Sequence, residues 1–286
     1  MTSIPFAGRR PPALSWRLPI RHAGVALALL YLVLLTGAAI VPHAFTHADP
    51  LAIAPRDAFH PPGWQHPFGT DQSGRDILTR VIYGARQSLL LGGGAITLSL
   101  SIAIVLALVG GLGGPMAAQG VRWLLDVLFA FPTLVLALLF TATLGTGVGP
   151  LIVAVGVGSA AGYARMVFGQ VLSVRRAGYV EAARALGHGP LRIIRRHILP
   201  NAFRPLVVTA TMGVGQTIVW SAALSFLGLG APPPAAEWGT MLSMGRDFVA
   251  EAWWMTLFPG LAIVLTMLST TTAGRALQRR IEGRAA

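Results

Sequence analysis

Ala23 to Val41 reads AGVALALLYLVLLTGAAIV, an apolar run without a charge, preceded by Arg9, Arg10, Arg17 and Arg21. A helix rises about 1.5 Å per residue and a bilayer's hydrocarbon core is about 30 Å thick, so about 20 such residues cross it. The run is too long for the apolar region of a cleaved leader, and no clean small-residue cleavage site follows. It reads as a retained signal-anchor, which makes lipid the solvent in which the remaining sequence has to be read.

The composition agrees. Of 286 residues, 54% are hydrophobic and 11% charged, where a soluble domain carries about a quarter charged. Gln87 to Val121 is uncharged and supplies a second span, with a Gly-Gly-Leu-Gly-Gly-Pro turn at 110–115. Val127 to Ala164 is also uncharged, and at helical rise it would be about 57 Å long, too much for one crossing. The sequence Gly145-Thr-Gly-Val-Gly-Pro150 divides it into a third and a fourth span. Pro205 to Ala236 gives the fifth, ending near Gly228-Leu-Gly230 and Pro232-Pro-Pro234, and Ala252 to Gly274 the sixth. The expected fold is an all-α integral membrane bundle of about six transmembrane helices.

Arginine placement gives an orientation. Seventeen of the 22 basic residues fall in segments that share one side if both termini are cytoplasmic, seven of them between Arg175 and Arg204. The other side holds Arg56, Arg75, Arg80, Arg86 and Arg246, offset by Asp49, Asp57, Asp71, Asp76, Glu237, Asp247 and Glu251. Positive charge gathers on the cytoplasmic side of membrane proteins, so the formal net charge of +12 needs no nucleic acid. The expected organisation is a cytoplasmic segment 1–22, the span 23–41, an extracytoplasmic segment 42–87, a five-helix core 88–274 and a cytoplasmic tail 275–286.

Two residue types are missing. The chain has no cysteine, which excludes disulfides, thiolate metal sites and cysteine nucleophiles. It also has no lysine, and a phosphate-binding loop of the G-x-x-x-x-G-K-[ST] type needs one. Any ATP hydrolysis must come from another chain.

The segment between the fourth and fifth spans reads RRAGYVEAARALGHGPLRIIRRHILPNAFRP. Tyr179 to Leu186 holds strong helix formers, with Glu181 in the first turn where the helix dipole favours an acid. Gly187 suits the left-handed position after a helix end. Gly189-Pro190 turns the chain, Leu191 to His197 forms a second short helix, and Pro200 stops it. The expectation is a helix-turn-helix on the cytoplasmic surface, with an alanine face small enough to enter a cleft of another protein.

Glu181-Ala182-Ala183, three residues, Gly187, nine residues and His197-Ile198-Leu199-Pro200 resemble the EAA loop of ABC importer permeases, whose pattern is EAA-x3-G-x9-I-x-L-P. His197 stands where the general pattern has isoleucine, as His-Ile-Leu-Pro-Asn does in the peptide subfamily. His66-Pro-Phe-Gly-Thr-Asp-Gln-Ser-Gly-Arg-Asp76 and Arg80-Val-Ile-Tyr-Gly-Ala-Arg-Gln-Ser88 are similar to the segment before the second span in C-type permeases of dipeptide, oligopeptide and nickel importers. So are Asp126, Phe131-Pro132, Gly162-Tyr-Ala-Arg165, Leu224-Ser-Phe-Leu-Gly-Leu-Gly230 and Trp238-Gly-Thr-Met-Leu242 at their places. Arg175-Arg176-Ala177 and Thr271-Thr-Ala-Gly274 depart from many relatives, and the first 20 residues and Thr46 to Pro62 match no part of the pattern.

The resemblance implies a type I importer permease bundle in a bacterial inner membrane. It further implies a heterodimer with a homologous second permease, two ABC ATPase subunits that bind ATP and Mg2+, an extracytoplasmic solute-binding protein and a peptide solute. Glu181, Ala182, Ala183, Leu186, Gly187, Leu199 and Pro200, within the loop 175–204, would couple to the ATPases. Gln216, Ser221, Ser225, Phe226 and Trp238 are candidate pore or outer-gate residues, the outer loop 226–254 dipping toward the pore. No catalytic residue, cofactor or metal site is expected in this chain. Runner-up readings are a nickel-chelate or other small-solute importer permease and, from a different class, a stand-alone secondary transporter. The latter needs acids inside its spans and broken helices at the midplane.

Lesser features have plainer readings. His43 and His47, with His60 and His66 in the same segment, lack the acid or thiol that would complete a metal set. Asp126, at the inner edge of the third span, is expected to cap its helix or pair with Arg122 or Arg165. Trp238, Trp253 and Trp254 suit interfacial anchoring. Gly92-Gly-Gly94, Gly156, Gly158, Ser159, Gly162, Gly213 and Gly215 suit close helix packing more than gating.

Overall fold

The computed structural model describes residues 18–283. The arginines expected before residue 18, and Arg284, lie outside the described residues. Among the described residues ten α-helices carry the fold: α1 (Leu18–Ile40), α2 (Ile77–Leu112), α3 (Gly114–Phe129), α4 (Thr133–Leu144), α5 (Val148–Arg175), α6 (Gly178–Ala185), α7 (Pro190–Ile193), α8 (Leu199–Phe226), α9 (Trp238–Gly245) and α10 (Trp254–Glu282). Five are long and apolar enough to cross a membrane, and the α3–α4 pair makes six if counted as one broken span.

Helix α2 is the central post. It packs most extensively on α5 and also against α8, α1 and α3, while α10 closes the bundle against α8 and α1. Small residues make the crossings close. A Cβ on Gly92 would strike the Ile218 side chain of α8, one on Gly156 the Leu98 side chain of α2, and one on Gly215 the backbone of Met267 in α10. Hydroxyls add cross-ties: Thr217 donates to the Gly92 carbonyl at 2.8 Å, and the Ser99 and Ser159 hydroxyls lie 3.1 Å apart. In lipid such packing replaces the hydrophobic drive between helices, which agrees with the packing role expected of these residues.

Three expectations change. First, α2 begins at Ile77 rather than near Gln87, because Asp76 caps it by accepting from the Thr79 amide at 2.7 Å. Arg80 and Arg86 therefore sit on the helix, and the absence of charge was a poor guide to its start. At 36 residues it is about 54 Å long, so it projects beyond a bilayer core.

Second, the third span is not one rod. α4 has 12 residues, about 18 Å of helix, and meets α3 at 88°. Proline disfavours helical geometry in the residue before it, and Phe131-Pro132 marks the bend. The Gly145–Pro150 division stands, with Gly145 and Gly147 at φ +84° and +129° between α4 and α5.

Third, Pro200 does not end a helix. The chain runs from α7 through a π-helical turn, Ile194–Ile198, directly into α8. The Leu199 amide bonds the Ile194 carbonyl five residues back. The wider turn and the position of Pro200 at the start of α8 let the missing proline N–H pass without a break. Pro205 and Pro259 are likewise carried inside α8 and α10.

Candidate functional site

At one end of the bundle α5 stops at Arg175, and α6 and α7 form a knuckle before α8. The C-terminus of α6 is a Schellman turn: Gly187 has φ +77°, its amide bonds the Arg184 carbonyl at 2.9 Å, and the His188 amide bonds Ala183 at 3.1 Å. The left-handed conformation predicted for Gly187 is present. Nothing lies within 4 Å of where its Cβ would project, so the position is open to whatever sits against it.

The knuckle has two faces. Val180, Ala183, Ile193 and Ile198 are buried in a core with Val121, Leu125, Val171 and Leu206. Glu181, Ala182, Ala185, Leu186, Gly187 and Leu191 are exposed, Leu186 at 77% and Leu191 at 65%. Of the expected coupling residues, Glu181, Ala182, Leu186, Gly187 and Pro200 stand outward and Leu199 is half-buried. Ala183 is turned inward at 4% exposure, so it packs the knuckle onto the bundle and offers no surface to a partner.

The opposite end is closed by a buried polar clasp. Arg80 is 1% exposed. Its guanidinium lies 3.5 Å from Asp71 and donates to the Pro234 and Ala235 carbonyls at 3.3 and 3.2 Å. Asp71 in turn accepts from the Ser73 and Arg75 amides. Glu237 caps α9, accepting from the Gly239 and Thr240 amides at 2.9 and 2.8 Å. The Trp238 indole donates to the Val81 carbonyl at 3.0 Å, and its amide donates to the Ser88 hydroxyl at 3.2 Å. The two segments on either side of this clasp lie some 150 residues apart in the chain.

Of the candidate pore residues, Ser221, Ser225 and Trp238 are buried, Gln216 is half-buried and Phe226 is exposed. Trp254 is also buried, with its indole donating to the Thr70 carbonyl at 3.0 Å. The interfacial anchoring expected of three tryptophans thus fits Trp253 alone, at 49% exposure. Sequence reasoning counted Asp71, Arg75, Arg80 and Glu237 as loop charges and missed that they are buried partners. The one available sign was their place inside the resembling segments.

Asp126 pairs with Arg165 at 2.7 Å, one of the two partners expected, and Arg165 also lies 4.1 Å over the Phe129 ring. Among the described residues no three of His, Asp or Glu gather at one point. His66 Nδ1 lies 2.9 Å from Asp76, and His43 Nδ1 is 2.9 Å from the Tyr83 hydroxyl.

A family model described as "Binding-protein-dependent transport system inner membrane component" matches residues 99–284. A peptide transport system permease protein of Brucella abortus is 39% identical, over 99% of this chain and 95% of its own length. A di/tripeptide transport system permease protein of Pseudomonas aeruginosa is 35% identical, over 93% of this chain and 90% of its own. The crystal structure of an amino acid ABC transporter with histidines aligns at TM-score 0.59 and 19% identity, over 71% of this chain and 94% of that one. That likeness bears on the fold alone.

Proposed function

The chain belongs to the family of binding-protein-dependent transport inner membrane components, and we propose that it forms half of the translocation pore of an ATP-driven importer for di- and oligopeptides. It is a multi-pass permease of the bacterial inner membrane. In the proposed assembly it pairs with a homologous second permease, receives solute from an extracytoplasmic binding protein, and is driven by two ATPase subunits that hold ATP and Mg2+. The arginine-rich end and both termini face the cytoplasm, in keeping with the positive-inside bias.

The observation that carries this reading is the knuckle. Its inner face is anchored, its outer face carries Ala182, Ala185, Leu186 and Leu191 beside Glu181 and Arg184, and the space beside Gly187 is open. Residues 190–226 then run as one continuous 37-residue helical rod, about 55 Å long. A displacement of α6 and α7 by closing ATPases is therefore carried along α8 to its far end, where Ser221, Ser225 and Phe226 adjoin the clasp. The change that opens and closes the pore is thus mechanical, and this chain does no covalent chemistry in it.

The test is to purify the tagged chain in mild detergent, identify what accompanies it, and measure ATP hydrolysis with and without peptide and binding protein. A second permease, ATPases and peptide-stimulated hydrolysis are expected. A lone protein that carries solute on an ion gradient would overturn the reading.

A further inference from the structure

At the arginine-rich end, on the α3 side of the knuckle, lies a cavity of about 360 Å³. It sits where the α2–α3 turn, the end of α5 and α6 meet. Arg122 comes to it from α3, Arg175 and Arg176 from the end of α5, and Arg184 from α6, with Glu181 the one acid in its wall. Arg175 is held in place by donating to the Gly111 carbonyl at 2.7 Å. Arg122, Arg176 and Arg184 make no ion pair among the described residues. Arg122, Arg176 and Arg184 are exposed and Arg175 is half-buried, so four arginines border one open space against a single carboxylate. Like charges there repel, and an anion among them lowers that repulsion.

We propose that this cavity is a binding site for a phosphate group, either that of an acidic phospholipid or a free phosphate ion. Guanidinium is the side chain best shaped for phosphate oxygens, through paired N–H donors. The surroundings favour the lipid source. Helix α3 turns 88° away from α4, as a helix lying along the membrane surface does, and it exposes Met116, Trp123 and Phe129 at 90%, 67% and 47%. An interfacial helix with an aromatic at headgroup level sets the cavity at the depth of lipid phosphates. A neighbouring cavity shares Arg122 and runs between α3 and α5, where Leu125 and Phe168 face it beside the Asp126–Arg165 pair. Basic pockets among membrane helices on the cytoplasmic side take acidic headgroups in this way. The leaflet assignment rests on the orientation proposed above, while the site itself does not.

The full chain in mild detergent, incubated with equal amounts of phosphatidylglycerol and phosphatidylcholine, is examined by native mass spectrometry. Retention of phosphatidylglycerol over phosphatidylcholine by about tenfold is expected, with a comparable loss in R122Q/R176Q. R122K/R176K keeps the charge without the paired donors and is expected to retain phosphatidylglycerol at a level between wild type and R122Q/R176Q, which separates lost binding from lost folding. Equal retention in wild type and R122Q/R176Q overturns the site. Saturable binding of inorganic phosphate that the glutamine variant loses, with no preference between lipids, assigns the site to the free ion. Loss of the ATPases from R122Q/R176Q with its lipid unchanged overturns the proposal in favour of a protein contact. Because lipid is counted on the isolated chain, failure here leaves the importer reading untouched, and failure to recover ATPases leaves this site untouched.

Discussion

At one end of the bundle Arg80, Glu237 and Trp238 are each 1% exposed, whereas at the other Tyr179, Leu186 and Leu191 stand 46%, 77% and 65% exposed. The clasp's hydrogen bonds and ion pairs lie within the chain and bind residues 71–88 to 234–240. The knuckle leaves its apolar side chains without cover. A surface of that kind marks an interaction site more often than chance, so the first region is specified by this chain and the second is the one we propose a partner completes. Substitutions in the clasp should lower stability and thereby abundance, and substitutions in the knuckle should lower coupling in a chain that still folds.

The comparison breaks most sharply at Arg80. Replacing it by alanine leaves Asp71 buried beside Arg75 with one counter-charge fewer and two carbonyls without a donor. Removal of one partner from a buried pair costs about 3–5 kcal/mol, so R80A is expected to melt far below wild type by circular dichroism and to accumulate poorly. A wild-type melting curve would show that the clasp is not a stabilising element. W238F is the milder version: it forfeits the indole bond to Val81 and part of a filled core position, about 2 kcal/mol in all. Its melting point should fall, while peptide-stimulated hydrolysis per folded complex stays near wild type.

Gly187 sharpens the same contrast from the other side. Asp at φ +77° carries a left-handed penalty of about 1 kcal/mol, and no neighbour crowds it. G187D should therefore melt close to wild type yet lose solute-stimulated ATP hydrolysis, because its carboxylate would stand on the surface proposed to dock the ATPase. Unchanged stimulation would remove the docking role of the knuckle.

Sequence reading reached the membrane class, the Gly145–Pro150 division and the left-handed Gly187, because each follows from local chemistry: uncharged length, clustered glycine, a glycine after a helix end. It failed where distant chain decided the outcome. Arg80 looks like any polar residue before a span, and only the return of residues 234–237 buries it. Pro200 looks like a helix stop, and only the π-helical turn at Ile194–Ile198 carries the helix past it. Ala183 shares its chemistry with Ala182, and which of the two faces inward depends on how α6 lies on the bundle. The bend at Phe131-Pro132 was visible as a dipeptide, but the uncharged run around it outweighed the proline.

The last contrast is between two ion pairs. Arg165 and Asp126 approach to 2.7 Å with side chains 53% and 70% exposed, while Arg80 and Asp71 lie at 3.5 Å with side chains 2% and 5% exposed. Distance alone would rank the first pair as the stronger. Exposed pairs are screened by water and salt and contribute about 0–1 kcal/mol, whereas the buried pair cannot lose a member without leaving buried charge short of a partner. D126N should therefore shift the melting point by no more than a degree or two on that scale, and transport should continue, since Arg165 keeps its place over the Phe129 ring. A loss of transport in a stable D126N protein would mean that Asp126 moves charge or contacts solute, and would place function in the span where only a surface pair is inferred.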